Sequence, residues 1–258
     1  MTDYEKILVE LIEWTSDAME RAGGRIAILG VSGGKDSSVT AALLTRALGS
    51  DKVIGVLMPD GDQKDLADAM AICDHLGIRS IKADIRTITD AFHQLLENIL
   101  PGEVSLQTTL NLPPRVRMSL LYAISQSIPD SRVINTSNIS EDWVGYATIY
   151  GDTAGAFSPF GMLTTEEVIA IGRLLGVPEY LLVKAPADGL TGKTDEMVLG
   201  VTYSEINRYI RTGETTENAA AIIDRLHRDS RFKFLPIPMF DPGLPIAGND
   251  LANLYKGK

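Results

Sequence analysis

Cysteine is almost absent: Cys73 is the only one in 258 residues. That excludes a disulfide framework and any cysteine-based zinc cluster, and it fits a reducing compartment. Histidine is nearly as scarce, and His75, His93 and His227 lack metal-ligand spacing. Basic residues are in deficit, 24 Lys and Arg against 34 Asp and Glu, for a net charge of −10. A surface of that sign excludes broad, non-specific nucleic-acid binding, while leaving room for a local basic pocket around one anionic ligand. No apolar run approaches the roughly 18 residues of a membrane helix. The N-terminus has no basic flank followed by an apolar block, so no signal peptide is expected. Neither a membrane nor nucleic acid is an expected partner, and the expected location is cytoplasmic. Internal repeats and low-complexity tracts are absent too.

What is present reads as an ordinary globular chain, 45% hydrophobic and 22% charged, long enough for one or two domains. We expect one domain over residues 1–258, with its core at about 3–235 and a loose tail from about 245 to 258. Tyr4, Ile7, Leu8, Leu11, Ile12 and Met19 recur at helical spacing, and Gly23-Gly24 end that segment. The apolar run Ile26–Val31, bounded by glycines, reads as a buried parallel strand, the apolar run Val53–Met58 as a second, and Ile78–Ile85 and Val133–Thr136 as a third and a fourth. Helical patterns separate them, after position 35, over 66–76, over 87–99, and around Met118, Leu121, Tyr122 and Ser125. Residues 101–114 read as a Pro/Gly-marked connection, 137–163 as a long glycine-rich loop, and the rest to about 230 as helices. Alternating strands and helices predict an α/β fold: a Rossmann-like parallel sheet of about five strands, helices on both faces, and further C-terminal helices.

One segment carries chemistry. Gly30-Val31-Ser32-Gly33-Gly34-Lys35-Asp36-Ser37-Ser38 lies between the first strand and its helix, the edge of a parallel sheet where ligands bind. Its glycines permit a tight turn that points successive N–H groups inward, and the helix start adds partial positive charge. The serines supply further donors, which makes a cradle for phosphate or pyrophosphate. A Walker A loop is excluded, because Asp36 follows Gly34-Lys35 where Ser or Thr is needed, and Leu29 stands in place of the first glycine. The Gly-x-Gly-x-x-Gly dinucleotide fingerprint is absent as well.

Ser32-Gly33-Gly34-Lys35-Asp36-Ser37 resembles the pyrophosphate loop of the N-type ATP pyrophosphatases, whose fold is adenine nucleotide alpha hydrolase-like. Those enzymes adenylate a substrate and release pyrophosphate. Further blocks narrow the resemblance to the ammonia-dependent NAD synthetases. They are Asn111 with Arg115-Val116-Arg117-Met118, Asn135 to Glu141, Gly145 to Asp152, Lys184 to Leu190, and Asp195-Glu196 running into Leu199 to Tyr203. The resemblance implies ATP-dependent conversion of deamido-NAD to NAD with ammonia, through an adenylate, and a homodimer whose deamido-NAD site uses both subunits.

The same resemblance implies roles. Gly30, Ser32, Gly33, Gly34, Lys35, Asp36, Ser37, Ser38, Arg117 and Thr148 match ATP contacts. Asp36 and Glu141 match ligands of Mg²⁺, the expected cofactor. Asp152 and Lys184 match catalytic positions, Asp152 as the carboxylate that holds ammonium and accepts its proton. Arg115, Asp152, Lys184, Ser230 and Lys233 match the deamido-NAD side. Arg115 and Arg117, at i and i+2 of a helix, face different ways and so suggest different jobs.

The departures from the family pattern fall on the deamido-NAD side. Phe157 stands where many members carry an acidic residue, Thr165-Glu166 where a lysine is common, and Phe232 and Phe234 where His and Arg are usual. Glutamine-dependent members add an amidase domain with a nucleophilic cysteine. Cys73, on a helix with Ala69, Ile72 and Leu76, reads as packing, and His75 lies on another face. The expected nitrogen donor is therefore free ammonia or ammonia from a separate glutaminase. Trp14 reads as a core or subunit contact, and Trp143 as packing or as a platform for a ring. Two other readings remain open: another adenylating pyrophosphatase, GMP-amidating or tRNA-modifying, and a non-catalytic ATP-binding regulator.

Overall fold

A computed structural model describes residues 2–184 and 194–248. The block from Ala185 to Leu190 and the tail beyond Gly248 lie outside the described residues. Helix α1 (Tyr4–Arg21), capped by Asp3, precedes strand β1 (Ile26–Gly30). Then follow α2 (Lys35–Leu48), β2 (Val53–Leu57), α3 (Leu66–Leu76), β3 (Arg79–Lys82), α4 (Arg86–Ile99), α5 (Leu106–Gln126) and β4 (Ser131–Val133). A short helix α6 (Ile139–Trp143) breaks the loop after β4. It leads to α7 (Thr165–Leu174), α8 (Glu179–Leu182), α9 (Asp195–Leu199), α10 (Tyr203–Thr212) and α11 (Glu217–Ser230).

Among the described residues the sheet has four strands, all parallel, in the order β3-β2-β1-β4. The expectation of about five is corrected here. Beyond β4 the chain does return along the sheet edge, where Ala156 N–H donates to Val133 O at 2.8 Å and Asn135 N–H donates to Phe157 O at 3.1 Å. A regular parallel ladder would take the second bond to residue 156. The extra residue acts as a bulge, so this segment pairs without becoming a strand.

Alternation along β1 sorts the core. Ala27 and Leu29 join Val39, Leu43, Leu44, Ile72, Phe160, Ile171 and Leu181 on the face covered by α1, α2, α3 and α7. Ile28 joins Ile54, Val56 and Val116 on the face covered by α5. A third cluster, Val144, Leu199, Val201, Tyr203, Ile206 and Ile223, ties α6, α9, α10 and α11 together.

The expected connection over 101–114 is corrected as well. Ser105 caps α5 by accepting from Thr108 N–H at 3.2 Å, and the helix runs through Pro113 and Pro114. Those prolines remove two backbone donors. The helix persists because Leu112, Val116, Leu120 and Leu121 bury one face against the sheet. Residues 235–248 form no helix or strand and are exposed. No described helix is long and apolar enough to cross a membrane.

Phe160 is fully buried and fixes the returning segment to the main core. Phe160→Ala should lower unfolding free energy by about 3–5 kcal/mol in urea titration. A loss below about 1 kcal/mol would show that this segment is not anchored there.

Candidate active site

Two cavities open at the carboxyl edge of β1 and β4, where the strand order reverses. The first, about 250 Å³, is lined by Gly30, Val31, Ser32, Met58, Arg117 and Asn135 among others. The second, about 220 Å³, is lined by Gly34, Asp36, Ser137, Glu141, Tyr146 and Ala147. Ser32, Ser37, Thr136 and Asp152 line both, so the two are compartments of one cleft.

The loop after β1 is built for an anion. Gly33 has φ +82°, and a Cβ there would lie 2.5 Å from Asp65 O, so only glycine allows this turn against α3. Ser32 N–H donates to Ser37 Oγ at 3.2 Å, and Gly34 N–H to Ser32 Oγ at 3.2 Å. Ser38 Oγ donates back to Gly34 O at 2.7 Å. No side chain caps the start of α2, which leaves the first-turn amides of Lys35, Asp36 and Ser37 for a ligand.

Asp36 and Glu141, 105 positions apart in sequence, meet through Lys35. Its Nζ lies 2.9 Å from Asp36 Oδ2 and 3.8 Å from Glu141 Oε1. Asn138 positions both carboxylates. Its Nδ2 donates to Asp36 Oδ1 at 3.0 Å, while its Oδ1 caps α6 by accepting from Ser140 and Glu141 N–H. Burial, then the Asp36 charge, push Glu141 up to about 8, against the pull of Lys35. Burial works against the charged form of Lys35, but Asp36 and Glu141 outweigh it and hold the ammonium above its ordinary value.

Asp152 stands at the junction of the two compartments. Thr148 N–H donates to its Oδ2 at 2.8 Å, and its backbone carbonyl accepts from Asn135 Nδ2 at 2.7 Å. Thr148 Oγ1 donates to Asn111 Oδ1 at 2.7 Å, which turns that hydroxyl toward α5. Arg117 lines the first compartment, its Nε donating to Met58 O at 3.0 Å. Arg115 instead donates to Ile149 O at 3.2 Å. The two arginines do separate, one into the cleft and one onto the loop that carries Asp152.

The remaining expected site residues, Lys233, Ser230 and Lys184, line neither compartment. Lys233 Nζ donates to Gly145 O and Ala147 O at 2.8 and 3.0 Å, and burial pulls it below its usual value despite the Asp152 charge. Ser230 is buried, donates to Leu226 O at 2.7 Å, and packs on Gly145, where a Cβ would overlap it. Its hydroxyl is spent on its own helix. Lys184 Nζ contacts Asp65 Oδ1 at 2.5 Å and Asp68 Oδ2 at 2.6 Å, the pair of acids beside Gly33, rather than the loop amides.

Other sequence expectations resolve locally. Trp143 stacks on His227 at 4.2 Å, and Trp14 meets the Phe157 edge at 5.8 Å. Trp14 is nevertheless 42% exposed. Cys73 is buried and its thiol is pushed up to about 11, chiefly by burial. His75 Nε2 lies 3.1 Å from Gly176 O. Asn138 and Asn135 were not singled out from the sequence as site residues. The signal available was an Asn three residues before an acid, directly after a buried strand, which is a helix-capping pattern.

Known proteins of this architecture agree on one family. The NAD synthase family model matches residues 7–233. The chain belongs to the NAD synthase family. An NH3-dependent NAD(+) synthetase of Thermococcus sibiricus is 38% identical over 209 residues, 81% of this chain and 80% of that protein. Among solved structures, NMN synthetase from Francisella tularensis superimposes with TM-score 0.86 at 29% identity, covering 93% of this chain and all of that one. NH3-dependent NAD synthetase from Campylobacter jejuni gives 0.75 with the same identity and coverage.

One side chain beside the site of this NAD synthase family member makes its stability depend on pH. Asp142 Oδ1 is buried without a partner among the described residues, and burial pushes the carboxyl up to about 7 although Arg231 pulls the other way. A carboxyl raised on folding stabilises the fold below its unfolded value and loses that contribution as pH rises through the folded value. Asp142→Asn should therefore raise the melting temperature by a few degrees at pH 8 and leave it unchanged at pH 4. Equal effects at both pH values would contradict this origin.

Proposed function

We propose that this member of the NAD synthase family amidates deamido-NAD to NAD, using ATP and ammonia, and so acts as a ligase that forms a C–N bond. The observation that carries the reading is the uncapped helix start after β1 opening onto the same cleft as the carboxylate pair and Asp152. A carboxylate is a poor acyl donor because its leaving group would be oxide, and adenylation supplies a stable one. The nicotinate carboxylate attacks the α-phosphorus of ATP, the bond to the β-phosphate oxygen breaks, and pyrophosphate departs. Ammonia then attacks the acyl carbon, AMP leaves with the bonding pair, and the amide remains.

Each residue contributes a definable part. The amides of Lys35, Asp36 and Ser37, with Ser32 and Ser37, hold the β- and γ-phosphates where charge accumulates in the transition state. Arg117, fixed by Met58 O, faces the nucleotide in the first compartment. Asp152, held by Thr148 N–H, binds ammonium and takes its proton, which frees the nucleophile. Lys233, Arg115 and Ser230 shape and fasten the loop around Asp152. Lys184 lies on the far side of Gly33 and reaches the phosphates by leaving Asp65 and Asp68.

Mg²⁺ fits the donor set present. This ion is ordinarily held by one or two carboxylates together with substrate phosphates and water. Asp36 and Glu141 supply that pair, already with a cation between them. When bound there, Mg²⁺ would withdraw charge from the phosphate oxygens. The homodimer reading is supported by α4, where Ile88, Phe92, Leu95 and Ile99 share one exposed face suited to a second copy. We read the chain as one domain in a cytoplasmic setting, which suits its single buried thiol.

A second reading concerns the acceptor. The high structural similarity to a chain named NMN synthetase, together with Phe157, Phe232 and Phe234, favours testing the mononucleotide with the nicotinate carboxylate as well. Purified protein is incubated with ATP, Mg²⁺, ammonium and either acceptor, and the amide product, AMP and pyrophosphate are measured. Equal NAD and AMP from deamido-NAD support the first reading, preference for the mononucleotide supports the second, and AMP with neither acceptor removes both. Asp152→Asn should raise the ammonium KM at least about tenfold while leaving the ATP KM within about twofold, as expected for loss of a general base that does not touch nucleotide. An unchanged ammonium KM would remove that role.

A further inference from the structure

Lys35 is the first residue of α2, yet its side chain is only 7% exposed. A lysine at a helix start ordinarily leaves its strongly hydrated ammonium in water. Here the charge is taken out of water, which is costly unless partners compensate. Asp36 Oδ2 at 2.9 Å and Glu141 Oε1 at 3.8 Å are those partners, and the Tyr203 ring closes the other side at 5.8 Å. Tyr203 in turn donates its hydroxyl to Asp195 Oδ2 at 3.3 Å. The two carboxylates suited to a divalent cation therefore already enclose a cation that belongs to the chain.

We propose that Lys35 is the resident counter-ion of the Asp36–Glu141 pair, closing it to free divalent cations until a nucleoside triphosphate arrives. The arriving phosphates do two things at once. They offer the ammonium new oxygen partners within the same loop, and they supply the further oxygens that a divalent ion needs. The four-carbon stem of lysine permits that move without shifting the backbone. This inference rests on the metal reading above and adds an order to it: metal enters with the nucleotide and not before it. Lys35 thereby keeps a positive charge against Asp36 and Glu141 through the nucleotide-free part of the cycle, and it is a positioning residue for both.

Mn²⁺, read by electron paramagnetic resonance as a stand-in for Mg²⁺, is titrated into nucleotide-free wild type, Lys35→Arg and Lys35→Met. Wild type and Lys35→Arg should bind only at millimolar metal, and Lys35→Met at least about tenfold tighter. In chelator the melting temperature of Lys35→Met should lie below wild type and recover on adding Mn²⁺. Micromolar binding by nucleotide-free wild type overturns the inference and needs no variant to fold. So does a Lys35→Met protein with wild-type metal affinity and melting temperature. A separate titration of wild type and Asp36→Asn uses Mn²⁺ with a non-hydrolysable ATP analogue. Equal protein-bound signal in both removes the metal reading itself, whereas loss of signal in Asp36→Asn alongside failed Lys35 arms removes only the role given to Lys35.

Discussion

Backbone amides at the start of α2 are the feature on which the rest of the site depends. A helix leaves its first N–H groups without intrahelical partners, and proteins usually meet them with a capping side chain. Here Gly34 occupies the cap position and no side chain serves it. Gly33 holds the preceding turn in a backbone conformation and at a closeness to α3 that a side chain would not allow. The resulting concentration of donors and partial positive charge suits a phosphate chain in a protein whose net charge is negative. Because the sheet is parallel, the loops after β1, β2 and β4 open onto the same cleft, and the segment after β4 delivers Asn135, Asn138 and Glu141 beside it.

Around that cradle two lysines partly offset four acids. Asp36 and Glu141 are offset by Lys35, while Lys184 engages Asp65 and Asp68 on the other side of Gly33. Both lysines are thus committed to carboxylates close to the loop. In the proposed reaction both would exchange those partners for phosphate. Asp152 is treated differently: its environment is Thr148 N–H, half-buried Arg117 and half-buried Lys233. The acid proposed to receive a proton and the pair proposed to hold a divalent cation therefore occupy separate settings within one cleft.

Much of this is legible in the sequence. The Ser-Gly-Gly pattern after a buried strand locates the loop proposed to hold phosphate, and ordered blocks over residues 26–210 point to the family. The meeting of Asp36 and Glu141 at one sheet edge follows from parallel topology, whereas the strand order does not. The misread stretches have physical reasons. Pro113 and Pro114 read as breakers, because burial of Leu112 and Val116 against the sheet is invisible in local sequence. The expected fifth strand became a bulged return at 156–157, since one extra residue between two hydrogen bonds leaves no signature in composition. Lys35 turning to Asp36 was equally hidden. Adjacent helical residues do not ordinarily face each other, and the carboxylate of Glu141, contributed by α6, together with the Tyr203 ring closes around that turn.

The central claim is that main-chain N–H groups between Ser32 and Ser38 grip the departing diphosphate. Amide chemical shifts of isotope-labelled protein titrated with inorganic pyrophosphate test it most directly. The account predicts saturable shifts concentrated in Gly33, Gly34, Lys35, Asp36 and Ser37, at the start of α2. Saturable binding that moves amides elsewhere and leaves those five in place would contradict it.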